Sequence, residues 1–435
     1  MTAIKTREDQ KDWYLSQFRL FESSLNGDVH QAIHSLRTEA MERFSELGFP
    51  TSKSEEWKYT NLSSLISTPF RLAAADANVP AKALDGIPSP RLVFVNGRFS
   101  RKHSSSGSRE SLTMASLPEA AKSHPDLIQN FLARYADVRT QAFSALNTAF
   151  LYDGAFVLVR RGTVIEEPVQ LVFISTDREE QFIAFPRVLV IAEENSQVKI
   201  VERFQGTGGN TYFNNIVSET VLGSNAVVDH YRIQLEGENA YHVSHSHVQQ
   251  DRGSVYSSTA FLWGAALSRH EVHAVLNGEG GECRARSLYL GKNRQHSDIH
   301  TVLEHAAPHC QSHQLVKTMV DDEAHGVFSG KIIVHPDAQK TNAIQTNNNL
   351  LLSESASVDT KPQLEIFADD VRCTHGATIG KVDEEGLFYL RSRGIDEQQA
   401  RNVLTYAFAS EVLEGVALDD VRREMDERLH RQFRF

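Results

Sequence analysis

From about Asp153 onward this chain repeats itself, and that repeat constrains the fold more than anything else in the sequence. A polar turn followed by alternating inward and outward residues recurs as Asn195-Ser-Gln-Val-Lys-Ile, Asn225-Ala-Val-Val-Asp-His, Arg252-Gly-Ser-Val-Tyr-Ser and Gly280-Gly-Glu-Cys-Arg-Ala. Pro308-His-Cys-Gln-Ser-His, Asp337-Ala-Gln-Lys-Thr-Asn and Asp369-Asp-Val-Arg-Cys-Thr continue the series. Their first residues lie 30, 27, 28, 28, 29 and 32 positions apart. Short β-branched runs such as Phe156-Val-Leu-Val159, Val169-Gln-Leu-Val-Phe-Ile174, Val188-Leu-Val-Ile191 and Val198-Lys-Ile-Val201 are bounded by turn residues, as strands are. A near-constant period filled by strands predicts the coils of a solenoid, each hydrogen-bonded to the coils above and below. A β-sandwich also supplies many strands but does not require constant spacing. The expected class is mainly β: a right-handed parallel β-helix over residues 151–385.

Helical spacing flanks the repeat. Val29, Ala32, Ile33, Leu36, Ala40, Met41, Phe44 and Leu47 form one apolar stripe, ended by Gly48 and Pro50. Trp57 and Tyr59, in Glu55-Glu-Trp-Lys-Tyr, read as anchors of a short turn against the body. Residues 66–150 are mixed, with an exposed loop expected at Ser104–Ser108 and helical spacing through Ile128, Phe131, Leu132, Tyr135, Ala142, Leu146 and Ala149. After Arg393, Asp396 and Gln399 have the form of a capping box ahead of the stripe Ala400, Val403, Leu404, Ala407 and Phe408. A second helix is expected from Asp419, with Leu418, Val421 and Met425 on its apolar side and a charged tail from Arg422 that frays. The predicted division is a mostly helical region over 1–150, the β-helix over 151–385 and a helical region over 386–435.

Composition excludes several functions. With 45 basic and 56 acidic side chains the formal charge is −11, which repels phosphate backbones and anionic lipid, so neither nucleic acid nor membrane is an expected partner. The first dozen residues hold no apolar h-region, and no apolar run reaches membrane length. Three cysteines, Cys283, Cys310 and Cys373, are too few for a disulfide framework, so a reduced, cytoplasmic protein is expected.

No phosphate-binding loop, serine elbow, H-E-x-x-H or C-x-x-C occurs, and Gly206–Gly209 and Gly278–Gly281 read as turns. Fourteen of the 19 histidines lie between His230 and His375, so a metal site has to be considered. His245 and His247 share one face of a strand. With no carboxylate or thiolate companion evident, a half-exposed outer face is the favoured reading. Cys283 and Cys310, 27 residues apart, would stack on adjacent coils if the registers hold, and simple burial is preferred to metal binding. Cys373 and His375 fall on the last coil and can point to one side; thiolate and imidazole suit iron or an iron–sulfur cluster, with a partner supplying the remaining ligands. Carboxylate runs at Asp321–Glu323 and Asp369-Asp370 would fit a carbohydrate-active β-helix enzyme, but they read better as turn residues.

At Glu365-Ile-Phe-Ala-Asp-Asp-Val-Arg-Cys-Thr-His-Gly-Ala-Thr-Ile-Gly380 the chain resembles the SufD family of iron–sulfur cluster assembly proteins. Glu385-Gly-Leu-Phe-Tyr-Leu-Arg-Ser-Arg-Gly-Ile-Asp396, the run from Lys340 to Leu352 and Glu55-Glu-Trp-Lys-Tyr-Thr60 extend the likeness over nearly the whole chain. The paralogous SufB scaffold is the competing family. It carries a carboxylate where this chain has Gly376 and a cysteine near Thr346. The resemblance implies a non-catalytic subunit that pairs with SufB through the β-helix end and docks the SufC ATPase through C-terminal helices. It implies a transient cluster or iron at the SufB interface rather than a cofactor held by the chain alone. It points to His375 and Cys373 as candidate ligands and to Ala400, Val403, Leu404 and Phe408 as docking candidates.

Overall fold

The computed structural model describes residues 7–25, 31–73, 79–105, 110–178 and 180–433. Val29 of the predicted stripe and residues 106–108 of the predicted loop lie outside these. The repeat region is a β-solenoid. Its strands go alternately to two sheets, and all the pairings from Gly154 to Gly380 are parallel. The first sheet runs from Gly154–Val159 through Arg187–Ala192, Tyr212–Leu222, Tyr241–Gln250, Leu267–Leu276, His296–His305 and His325–Val334 to Ser357–Ile366. The second runs from Val169–Ser175 through Gln197–Gly206, Val227–Leu235, Val255–Trp263, Glu282–Gly291, Gln311–Val320 and Asn342–Leu351 to Arg372–Gly380.

The sequence period is the spacing of one recurring turn. Asn195, Asn225, Gly253, Gly280, His309 and Lys340 all take left-handed backbone, with φ between 57° and 72°. Each also donates its N–H to a carbonyl of the next coil: Ser224, Arg252, Glu279, Pro308, Gln339 and Asp370. Glycine takes this conformation freely and asparagine more readily than other L-residues. The first two asparagines are tied as well, Asn225 Nδ2 donating to Asn195 Oδ1 at 3.0 Å. Asn225→Ala loses both advantages and is expected to cost about 1–2 kcal/mol in urea unfolding. A change below about 0.3 kcal/mol would mean that the turn relaxes without strain.

Inward residues of both sheets, among them Val228, Tyr256, Cys283 and Ala343 from one and Val248, Ala274, Leu303 and Ile332 from the other, pack into one continuous core. The outer faces are covered at each end of the chain by helices. α1 (Arg7–Ser24), α2 (Gln31–Leu47), α3 (Ser63–Ser67), α4 (Leu117–Ser123), α5 (Pro125–Phe131) and α6 (Ala142–Ala149) precede the solenoid. Their aromatic core, including Phe18, Phe44 and Phe143, closes over Phe213, Val243 and Leu267 of the first sheet. Strands Arg91–Val95 and Leu112–Ser116, within the stretch the sequence left mixed, extend the two sheets. The predicted spacing over 125–150 is two helices, separated by a break in which Ala133 has φ 57°.

α7 (Glu384–Ser392) packs against α8 (Glu397–Glu414), and α8 and α9 (Asp419–Phe433) lie on the second sheet, where Val412, Met425 and Leu429 meet Tyr231, Leu288 and Met319. Asp396 caps α8 by accepting from the Gln399 N–H at 3.0 Å. The expectation of a fraying tail is overturned: α9 stays helical to Phe433 because Leu429 and Phe433 are buried in this interface.

Candidate functional site

The strands Ser357–Ile366 and Arg372–Gly380 are the last of their sheets, each paired on one side only among the described residues. The solenoid therefore ends in two open edges. Such edges invite strand addition, and charge or proline usually guards them. Pro362 and Lys361 occupy one edge strand, while Phe367, Ile366 and Ile379 are exposed around the same end.

Both sequence candidates stand here. Cys373 pairs in register with the fully buried Ala343, is half-buried and packs against the inner core. Burial raises its thiol pKa, with a backbone contact to Ala343 opposing the shift, so the isolated chain presents a protonated thiol. His375, two residues on and so on the same face, is exposed and pairs with buried Gln345. Beneath it Gln345 Nε2 donates to Gln314 Oε1 at 2.9 Å, and Gln314 Nε2 donates to Thr301 Oγ1 at 2.6 Å. Gln345 Oε1 is buried with no hydrogen-bond partner among the described residues. Thr360 Oγ1 donates to Asn347 Oδ1 at 2.7 Å and Asn349 Nδ2 to the Thr378 carbonyl at 2.9 Å, fixing the last rung on the one below. The open end thus carries an imidazole and a thiol on a rigid, amide-lined base.

The other candidates divide. Ala400 is fully buried, and Leu404 and Phe408 pack into the interface between the C-terminal helices and the second sheet. Lys317 Nζ sits 4.2 Å from the Phe408 ring centre and donates to the Phe408 carbonyl at 2.8 Å. Only Val403 of the four faces outward, and Phe388 (75%) and Tyr389 (56%) of α7 are more exposed still. Sequence periodicity missed those two, although the Gly-Leu-Phe-Tyr-Leu run signals two adjacent rings that one narrow helix face cannot bury together.

Cys283 and Cys310 are buried, as preferred, but their stacking fails, and so does the half-exposed face for His245 and His247. Cys283 pairs with Ser312, not Cys310, which lies two residues earlier, in the turn ahead of that strand. A separation of 27 misses this 29-residue register, and residues offset by two no longer stack. His245 and His247 are not on a half-exposed face: both are buried under the N-terminal helices, and His245 Nδ1 lies 3.5 Å from Glu271 Oε2. His242 is likewise buried, 2.7 Å from Glu236 Oε1. The helical layer covers the face that carries His245, and Glu271 reaches it from the next coil; His242 instead points into the coil against Phe204, with Glu236 in the turn just before its strand. Among the described residues no group of three or more His, Cys, Asp and Glu is arranged to hold a metal ion. The Asp321–Glu323 and Asp369-Asp370 runs do serve turns: Asp321 Oδ1 accepts from the Asp322 N–H, and Asp370 pairs with Lys340.

The Trp57 segment was legible. Its indole is buried, with the Arg269 guanidinium 3.9 Å from the ring centre. Arg269 Nη1 donates to Asp298 Oδ2 at 2.6 Å and to the Glu56 carbonyl at 2.8 Å, while Thr60 Oγ1 donates to Asp298 Oδ2 at 2.6 Å. Burial alone would raise the Asp298 pKa, but Arg269 and His300 hold it well below the ordinary range. Tyr59 is half-buried. Among the described residues no helix is long and apolar enough to cross a membrane.

Residues 173–408 match the SUF system FeS cluster assembly, SufBD core domain family, and residues 8–171 match the SufBD protein N-terminal region. An iron–sulfur cluster assembly SufBD family protein of Synechocystis is 35% identical, over 91% of this chain and 90% of its own length. The iron–sulfur cluster assembly protein SufD of Escherichia coli K12 is 33% identical, over 88% and 89%. SufD of Bacillus subtilis is 27% identical, over 90% and 92%. The chain belongs to the SufBD family of SUF-system iron–sulfur cluster assembly proteins and is a homologue of SufD.

Proposed function

We propose that this chain is a non-catalytic scaffold subunit, working in the cytoplasm, that joins a SufB-type partner through the open end of its solenoid. The observation that carries this reading is the open outer edge of both terminal strands, with His375 exposed on the face that continues the core. Strand edges of a partner solenoid can complete both ladders there. His375, with Cys373 beside it, then offers ligands to iron or a nascent cluster, which is cargo shared with the partner. Loss of exposure at such a junction would keep water and oxidants from the cluster. The exposed Phe388, Tyr389 and Val403 are the surface for a SufC-type ATPase, since Ala400, Leu404 and Phe408 are engaged within the chain.

The test is co-expression of the tagged chain with SufB-type and SufC-type subunits. His375→Ala should leave the complex assembled while iron and sulfide content fall at least fivefold. Unchanged cluster content would remove His375 as a ligand. Ile379→Glu at the open end should weaken capture of the SufB-type subunit at least tenfold, and Phe388→Asp that of the ATPase, each with an unchanged circular dichroism spectrum. Both side chains are exposed, so stability should change by no more than about 0.5 kcal/mol. Capture that survives both substitutions would refute the two surfaces.

A further inference from the structure

Far along the chain from the open end, the N-terminal helices enclose a cleft of about 230 Å³. Its walls come from α1, α2 and α4, the residue after α5, and the Leu151-Tyr152 pair ahead of the solenoid. Leu25, Ile33, Leu117, Ala121 and Leu132 make most of it apolar. One lining residue is charged. Arg37 is 7% exposed, yet among the described residues it has no ion pair.

A buried guanidinium without a counter-ion is costly, and Arg stays protonated at neutral pH even here, where burial pulls its pKa down to about 10. Its protein contacts satisfy only part of the fork: Nε donates to the Leu151 carbonyl at 2.6 Å, and the group lies 5.7 Å from the Phe21 ring centre. Two acids on the elements that line the cleft are occupied elsewhere, Glu22 of α1 beside His34 at 3.7 Å and Glu119 of α4 with Arg101. A second guanidinium, Arg98, stacks 3.8 Å from the ring centre of Tyr152 and adds positive potential beside the cleft. One fork in an apolar enclosure is matched by one carboxylate, which accepts two parallel N–H bonds; a phosphate dianion would call for more donors than the cleft supplies. The volume limits the rest of the ligand to a small apolar body.

We propose that this cleft binds a small monocarboxylate with an apolar body, its carboxylate held by Arg37 and its tail lying among Leu25, Leu117 and Leu132. The site is separate from the cluster-assembly end, and it stands or falls independently of the scaffold reading.

The full chain is titrated with sodium hexanoate and, separately, with 1-hexanol, by calorimetry and by ligand-observed NMR. Saturable one-to-one binding of hexanoate is expected, with hexanol at least tenfold weaker. Arg37→Gln should reduce hexanoate binding at least tenfold. Ala121→Phe, which fills the cleft without touching the guanidinium, should do the same. Should either variant fail to fold, the hexanoate–hexanol comparison on the unaltered chain still decides. No saturable binding at millimolar hexanoate, equal binding of the alcohol, or hexanoate binding that persists in a folded Ala121→Phe chain would each overturn the proposal.

Discussion

Replacing Glu219 by alanine is expected to destabilise the protein by about 3–5 kcal/mol in urea unfolding, the usual cost of stripping one partner from a buried ion pair. Glu219 and Arg187 are both fully buried, with Arg187 Nη2 donating to Glu219 Oε2 at 2.6 Å. The same carboxylate accepts from the backbone N–H groups of Ala133 at 2.8 Å, Tyr135 at 2.9 Å and Ala136 at 3.2 Å. Arg187 in turn donates to Asn147 Oδ1 and Thr148 Oγ1 of α6 at 3.1 and 3.2 Å. One pair therefore fastens the break after α5 and the end of α6 to the solenoid. Alanine would leave a charged guanidinium and three amides dry. The double variant Arg187→Met/Glu219→Met should lose less than Glu219→Ala, because no charge is then stranded. A single-variant cost under 1 kcal/mol would show that water enters and that the pair is not the fastening it looks to be.

Acid should unfold this protein early. Burial pulls His247, His296 and His305 down to about 4, and lowers His242 and His270 as well. Histidine in an unfolded chain titrates near 6.5. Between those limits the unfolded state binds more protons than the folded one, so stability rises with pH and falls as pH drops from about 6.5 towards 4. Each such group contributes up to about 1.4 kcal/mol per pH unit. His300, raised by Asp298 and Glu56 against the effect of burial, acts in the opposite sense: its contribution is full below 6.5 and fades above. Near pH 5 the three rings near 4 together supply a slope of about 3–4 kcal/mol per pH unit, which Asp153, pushed up to about 6 by burial, offsets in part. Below about 4.5 the carboxylates add to the loss. Glu202 is held near 2 by Arg232 and His230 despite its burial, and Glu304 near 2 chiefly by its hydrogen bond with His273; both contributions disappear as pH falls towards 2. Urea midpoints at pH 7, 6 and 5 test the histidine limb. His305→Gln, at the buried contact with Ser312 Oγ, should flatten it by about one proton's worth. Equal midpoints at pH 7 and 5 would show that these rings are reached by solvent.

How much of this was legible in advance differs from element to element. The left-handed turn recurs visibly because asparagine and glycine answer a local backbone need, so its spacing exposed the coil length without any knowledge of contacts. Trp57 was legible for a related reason: a large ring in a charged run has few ways to be satisfied other than burial. Phe388 and Tyr389 were not singled out, since helical spacing marks which residues share a face but not which face finds a partner. His245 was misread because its companion Glu271 is supplied by the next coil. The same limit hid the Arg37 cleft, whose walls are drawn from five separate stretches of chain.

By itself the sequence determined that the middle of the chain winds into coils near 29 residues long, that helices flank them, and that Cys373 and His375 fall on the final coil. Those follow from local rules: which residues turn the backbone, and which alternate in a strand. Only the tertiary structure decided which outward faces are covered, which cysteine stacks on what, and that the last rung is left bare. Stacking is set by the length of every turn between two rungs, and an error of two residues moves a side chain out of its column. Burial of an outward face is set by whatever other segment folds across it, and at the open end nothing from the described chain does.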